Sequence, residues 1–295
     1  MIKSIGDYLE LLKIELKGSD AATVQDALGD AEEHLRAALA GVREKNPSLS
    51  EQEALDQVIE QYGSPAETAS AYAEVERRTV PQLGREVPAS ESGLSRFFGV
   101  YADARAWGAL LYMLIAFVTG IFYFTWAVTG LSTSIAFALF IFGLPFALLF
   151  FLSVRGLALL EGRIVEALLG VRMPRRPLFT QTNLKWLERI KELFLDKHTW
   201  LSILYMFIQF VLGITYFVLI VTVLSFSLSS IAIPVLQEWW GEGAIMNNGV
   251  RYFFPTWSYP LLVLCGVLLW TLFMNLARGI GQLHGRMAKS LLVTE

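Results

Sequence analysis

The chain opens with short amphipathic periods. Residues 3–17 place Ile5, Tyr8, Leu12 and Leu16 at helical spacing, and residues 21–45 repeat the pattern with Val24, Leu28, Ala31, Leu35, Leu39 and Val42. Steps of three and four set each group on one stripe. Asn46-Pro47 closes the second helix. Ser50 and Glu53 form a capping box for a third helix, which carries Leu55, Val58, Ile59 and Tyr62 and stops at Gly63. Ser64-Pro65-Ala66-Glu67 is a second capping box with Pro65 at the first helical position, ahead of Ala69, Tyr72 and Val75. The pattern predicts an all-α head of four helices over residues 1–78. Residues 79–100, rich in Pro, Gly and Ser, predict a linker.

Past residue 100 the pattern changes from striped to continuous. Trp107 to Gly130, Ile135 to Val154, Trp200 to about Pro234 and Tyr259 to Ala277 are apolar runs. Each is long enough, at about 20 residues, to cross a bilayer core. None alternates polar with apolar, as a membrane β-strand would. The expected fold is therefore all-α: a cytosolic four-helix head, then a four-helix transmembrane bundle over 101–295.

The third run repeats the first. DARAWGALLYMLIAFVTGIFYFTWAVT (103–129) aligns without gaps on DKHTWLSILYMFIQFVLGITYFVLIVT (196–222), with about half the positions identical. The ends match too: RGLALLEGRIVEALL (155–169) against RGIGQLHGRMAKSLL (278–292). Repeat one spans 103–170 and repeat two 196–293. Each is read as a helical hairpin with an amphipathic tail helix, the two being parallel copies related by an axis along the membrane normal. Trp107 and Trp200, with Gly120 and Gly213, are the expected packing residues; a glycine amid bulky neighbours suits close helix approach.

Charge gives direction. Through Val80 there are 16 acidic and 8 basic residues, a charge of −8, so the remainder carries +5 of the total −3. An acidic head is a poor match for nucleic acid. Nine Arg and Lys residues lie between the second and third runs, and Arg278, Arg286 and Lys289 follow the fourth. The turns near 131–134 and 237–258 hold one arginine, Arg251. The positive-inside rule then places both termini in the cytosol of a bacterial-type inner membrane. The first residues lack a continuous apolar stretch, so the first span is expected to direct insertion itself.

Candidate chemistry is sparse. No apolar run contains Asp, Glu, Lys, Arg or His, which disfavours ion-coupled carriers and proton pumps. Gln209 and Asn275 suit interhelical hydrogen bonds. Cys265, the single cysteine, reads as a small packed hydrophobe. His34 reads as a solvated residue, and His198 and His284 as interfacial polar residues. Phosphate-loop, nucleophile-elbow and zinc-protease motifs are missing, so neither an enzyme nor a metal or cofactor is expected. The second outer turn is aromatic: Trp239, Trp240, Tyr252 and Trp257, with Arg251, read as an interfacial belt or an outer sensing loop.

Two resemblances add to this reading. YLELLKIELKG, DAEEHLRAAL and EALDQVIEQYGSPAETASAY resemble the HAAS signalling domain, most closely at Tyr62-Gly63-Ser64-Pro65 with Glu67. That resemblance implies a head that binds a cytosolic protein, such as a PadR-type transcription regulator, through those residues. Residues 101–293 resemble the sensor domain found in front of certain bacterial histidine kinases, through the Asp-x-x-x-Trp start and the closing Ala277-Arg278-Gly279. The expected function is a non-enzymatic signalling protein whose membrane unit senses the membrane or an amphiphile. The alternative is a membrane-assembly or lipid-handling accessory protein that docks a transporter or enzyme complex.

Overall fold

The computed structural model describes residues 2–78, 92–137, 143–175, 194–241, 245–247 and 250–293. Among the described residues the chain is all-α apart from one small hairpin, and it divides into two compact units. One comprises Met1–Arg85, Ala127–Tyr205 and Arg286–Glu295; the other comprises Glu86–Trp126 and Met206–Gly285.

The head lies in the first unit. Its helices are α1 (Ile5–Glu15), α2 (Ala21–Lys45), α3 (Glu51–Tyr62) and α4 (Pro65–Arg78). Ser4, Asp20 and Ser50 cap the first three, each side chain accepting an amide N–H that the helix cannot satisfy itself. Both expected capping boxes are formed: Glu53 accepts from the Ser50 amide at 3.0 Å, and Glu67 from the Ser64 amide at 2.8 Å. Gly63 ends α3 at φ +104°, a conformation that disfavours any residue with a Cβ. Tyr8, Leu12, Leu16, Ala27, Ala31, Leu35, Val58 and Ala69 form the core. Tyr8 ties α1 to the α3–α4 corner, its hydroxyl donating to the Gly63 carbonyl at 2.9 Å.

Residues 79–91 of the expected linker lie outside the described residues. The rest of it is not linker: Gly93–Phe98 is helix α5, capped by Ser92, and Gly99–Ala102 is a 3-10 turn. Asn275 holds this segment by donating to the Phe97 carbonyl at 3.1 Å, a partner that local composition does not reveal.

The long helices are α6 (Ala104–Phe137), α7 (Gly143–Leu169), α8 (Lys197–Trp240) and α9 (Tyr259–Leu292). Among the described residues three helical segments are long and apolar enough to cross a membrane: Ala104–Phe137, Lys197–Trp239 and Thr256–Leu292. The second expected span runs through 138–142, which lie outside the described residues. Two boundaries differ from expectation. Helix α8 passes Pro234 and continues to Trp240, because apolar spans tolerate a proline where neighbouring groups satisfy the freed carbonyl. The expected tail helices are not separate: α7 and α9 carry span and tail as one helix, a lone Gly279 costing only about 1 kcal/mol of helix propensity. Between α8 and α9, β1 (Ile245–Asn247) pairs antiparallel with β2 (Val250–Tyr252), Ile245 opposite Tyr252.

Candidate functional site

In the second unit, Asp103 sits just before α6 and accepts the Arg105 amide at 2.9 Å, as an N-cap does. Its other oxygen takes Arg278 of α9 at 3.1 Å. The Trp107 indole N–H donates back to the Tyr101 carbonyl at 2.9 Å, closing the turn ahead of the helix. The Asp-x-x-x-Trp signature is thus a helix start with an arginine tied to it.

Two turns further along, the hydroxyls of Tyr112 and Tyr216 flank His284. Tyr112 is 2.7 Å from Nε2 and Tyr216 is 2.9 Å from Nδ1. Gln209 donates to the Tyr112 hydroxyl at 3.2 Å. His284 is 2% exposed and Gln209 is fully buried. Each ring nitrogen of His284 thus has a tyrosine hydroxyl as partner.

Helices α6 and α8 meet at glycine. A Cβ on Gly120 would lie 2.7 Å from the Gln209 carbonyl oxygen, and one on Gly213 would lie 2.3 Å from that of Ala116. Phe117 stacks on Phe217 and Phe124 on Phe210, flanking the two glycines.

The first unit holds the matching set. Asp196 precedes α8, accepts from the Thr199 hydroxyl at 2.8 Å and its amide at 3.1 Å, and pairs with Arg155 of α7 at 2.8 Å. Burial pushes the Asp196 carboxyl up, but hydrogen bonds from Thr199, Arg155 and the His198 amide outweigh it and hold the group below the usual aspartate range. The Trp200 indole donates to the Phe194 carbonyl at 2.8 Å. Tyr205 donates to Glu161 at 3.0 Å, both being 1% exposed. In the sequence repeat Tyr205 matches Tyr112, and Glu161 matches His284. A tyrosine meets a buried polar group at the same place in each unit, and only the identity of that group differs.

The first unit also joins the head to the ends of long helices. Asp20 caps α2 with one oxygen, bonding the Ala22 amide at 2.9 Å, and ion-pairs with Lys289 of α9 through the other. Asp26, nearly two turns on, accepts the Arg175 amide at 2.7 Å and lies 3.8 Å from the Arg172 guanidinium. Asp26 is 7% exposed. Beneath it a cavity of about 40 Å³ is lined by Gln25, Arg155, Met173, His198 and Ser202 among others, room for about one water. The head is therefore seated on the segment after α7 and on the end of α9.

The residues singled out from sequence are distributed as follows. Tyr62, Gly63, Ser64, Pro65 and Glu67 form the α3–α4 corner, where Ser64 and Glu67 are exposed and Tyr62 stacks on His34 at 4.7 Å. Trp239, Tyr252 and Trp257 are exposed at 79%, 54% and 72%; Trp240 ends α8 and Arg251 pairs with Met246 in the hairpin. Gln237, which sequence reading passed over, bonds both the amide and carbonyl of Phe254 and so ties that loop to α8. Trp107 and Trp200 remain 47% and 41% exposed, so their role is local closure of a helix start, with Trp200 also touching Phe151. Cys265 is exposed and not a packed hydrophobe, because a lipid-facing helix side is as apolar as a packed one. His284 is buried among protein side chains; its match to Glu161 in the repeat was the available signal. Among the described residues no group of three His, Cys, Asp or Glu could hold a metal ion.

No curated protein and no solved structure matches the chain. Residues 112–292 match the family model described as Putative sensor. These residues take in the paired tyrosines, both glycines, Glu161 and His284, and the apolar helices mark the chain as a membrane protein. With more than half its length matched, the chain belongs to that sensor family.

Proposed function

We propose that this is a non-enzymatic inner-membrane signalling protein whose membrane unit senses the bilayer or an amphiphile and whose HAAS-like head passes that state to a cytosolic protein, a PadR-type regulator being the partner that the resemblance favours. The observation that carries the reading is the seating of the head. Asp20 and Asp26, on the first two turns of α2, are held by Lys289 and by Arg172 with the Arg175 amide. A shift of α7 or α9 therefore pulls directly on a helix of the head core. The matched Asp–Arg and Tyr–polar pairs support a duplicated hairpin. The basic residues gather at these same helix ends, which supports cytosolic termini.

The test has two arms. A reporter active only outside the cytosol should work near Asn247 and fail near Arg175 or after Glu295; activity at Arg175 would reverse the orientation. Cross-linking of the full chain in its native membrane, followed by mass spectrometry, should recover a cytosolic regulator that is lost when residues 1–78 are removed. Recovery of a transporter or lipid-modifying complex instead would favour the accessory role.

A further inference from the structure

On the head, α2 presents Asp30, Glu33, His34 and Ala37 at steps of three and four, so they share one face. Tyr62 at the end of α3 and Tyr72 on α4 complete a groove of about 440 Å³, within the range of ligand-sized clefts. Its walls are organised. The His34 ring stacks on Tyr62 with centroids 4.7 Å apart and planes 29° apart. The Tyr72 hydroxyl donates to the Asp30 carboxylate at 2.6 Å. Glu33 and His34 are exposed at the mouth.

The groove thus combines flat aromatic surface with two carboxylates, on a head of charge −8. That combination fits a planar cation. A guanidinium stacks on aromatic faces and bonds carboxylates in a fork, whereas an ammonium is a point charge held more tightly by water. A metal ion is a poorer occupant, since these side chains offer no group of three ligands. The head's negative field would also attract a basic partner at a distance. We propose that this groove takes an arginine side chain presented by a cytosolic protein partner. The proposal rests on the reading of the head as a partner-binding module and names what that module recognises. It also moves the recognition site off the Ser64–Glu67 corner, whose polar groups bond one another, and onto the exposed face of α2.

The chain has three histidines, so the test is a direct one. The full chain in detergent micelles, labelled with 15N-histidine, is titrated with acetyl-Gly-Arg-Gly-amide at about 0.1 M salt, where exposed charges still act at about 10 Å. His34→Gln assigns the signal. Saturable movement of the His34 signal, with those of His198 and His284 unmoved, is the expected result. The citrulline peptide, neutral and of the same shape, should produce no shift. Glu33→Gln, at an exposed position, should weaken binding about fivefold with an unchanged circular dichroism spectrum. A silent His34, an equal response to citrulline, or a lysine peptide binding as tightly as arginine would each overturn the proposal. If His34 stays silent while the chain still captures a regulator through its head, only the groove is wrong; if capture fails as well, the signalling reading falls with it.

Discussion

Phe117 lies stacked on Phe217, ring centroids 4.3 Å apart and planes within 14°. Its reciprocal is present: Phe124 stacks on Phe210, also at 4.3 Å and within 16°. The repeat matches Phe117 with Phe210 and Phe124 with Phe217. The counterparts of two stacked residues are therefore themselves stacked on each other, as in reciprocal contacts between two copies of one unit.

The glycines between those stacks give the first prediction. Gly213→Ala forces a Cβ to within 2.3 Å of a backbone oxygen and should destabilise the protein by about 1–3 kcal/mol, the range for overpacking. Gly279→Ala meets nothing within 4 Å and should be neutral or stabilising by up to about 1 kcal/mol. Thermal unfolding in micelles compares them; equal effects would show that α6 and α8 do not touch there.

The Asp103–Arg278 pair should show coupling. The side chains are 13% and 27% exposed, so each single removal, Asp103→Asn or Arg278→Gln, should cost about 1–3 kcal/mol. The double variant should cost less than the sum of the two. A double-mutant cycle measures this; strict additivity would mean that the pair contributes only as a helix cap.

His284 should tolerate polar replacement better than apolar. His284→Leu removes a partner from both Tyr112 and Tyr216 and should cost about 2–5 kcal/mol, from two affected buried hydroxyls. His284→Glu reproduces the tyrosine–glutamate pairing seen at Tyr205 and Glu161 and should retain more stability than the leucine variant. A leucine variant as stable as the wild type would remove the hydrogen-bonded set from the account.

Asp196 predicts an acid dependence. Its folded-state carboxyl is held below the usual aspartate range, so its stabilisation is present above the unfolded value and is lost as pH falls through the folded one. The Tm difference between wild type and Asp196→Asn should be constant from pH 7 to about 5 and shrink below about 4. A difference independent of pH would assign the residue's effect to shape alone.

Much of the fold was legible because periodicity and hydropathy act locally. The four head helices, both capping boxes and the apolar runs follow from spacing that involves neighbouring residues only. What was not legible depends on distant partners. Asn275 extends the helical region back to Gly93, and the buried position of His284 is set by tyrosines on two other helices. Cys265 illustrates a different limit, since lipid and protein interior select the same side chains. The seating of the head was hidden because Asp20 and Asp26 read as a cap and a solvated acid until Lys289 and Arg172 are brought to them.

Helix α2 is unbroken over its 25 residues. Asp26, held by Arg172 and the Arg175 amide, and Glu33, at the groove mouth, stand on it about 10 Å apart along the axis. Neither end can be displaced without the other registering it. If arginine binding at the groove depends on whether the head is seated, thermodynamic linkage requires the converse by the same factor. A basic cytosolic partner would then act on the membrane helices as much as they act on it, and the amount of that partner in the cell would set how readily the sensor responds.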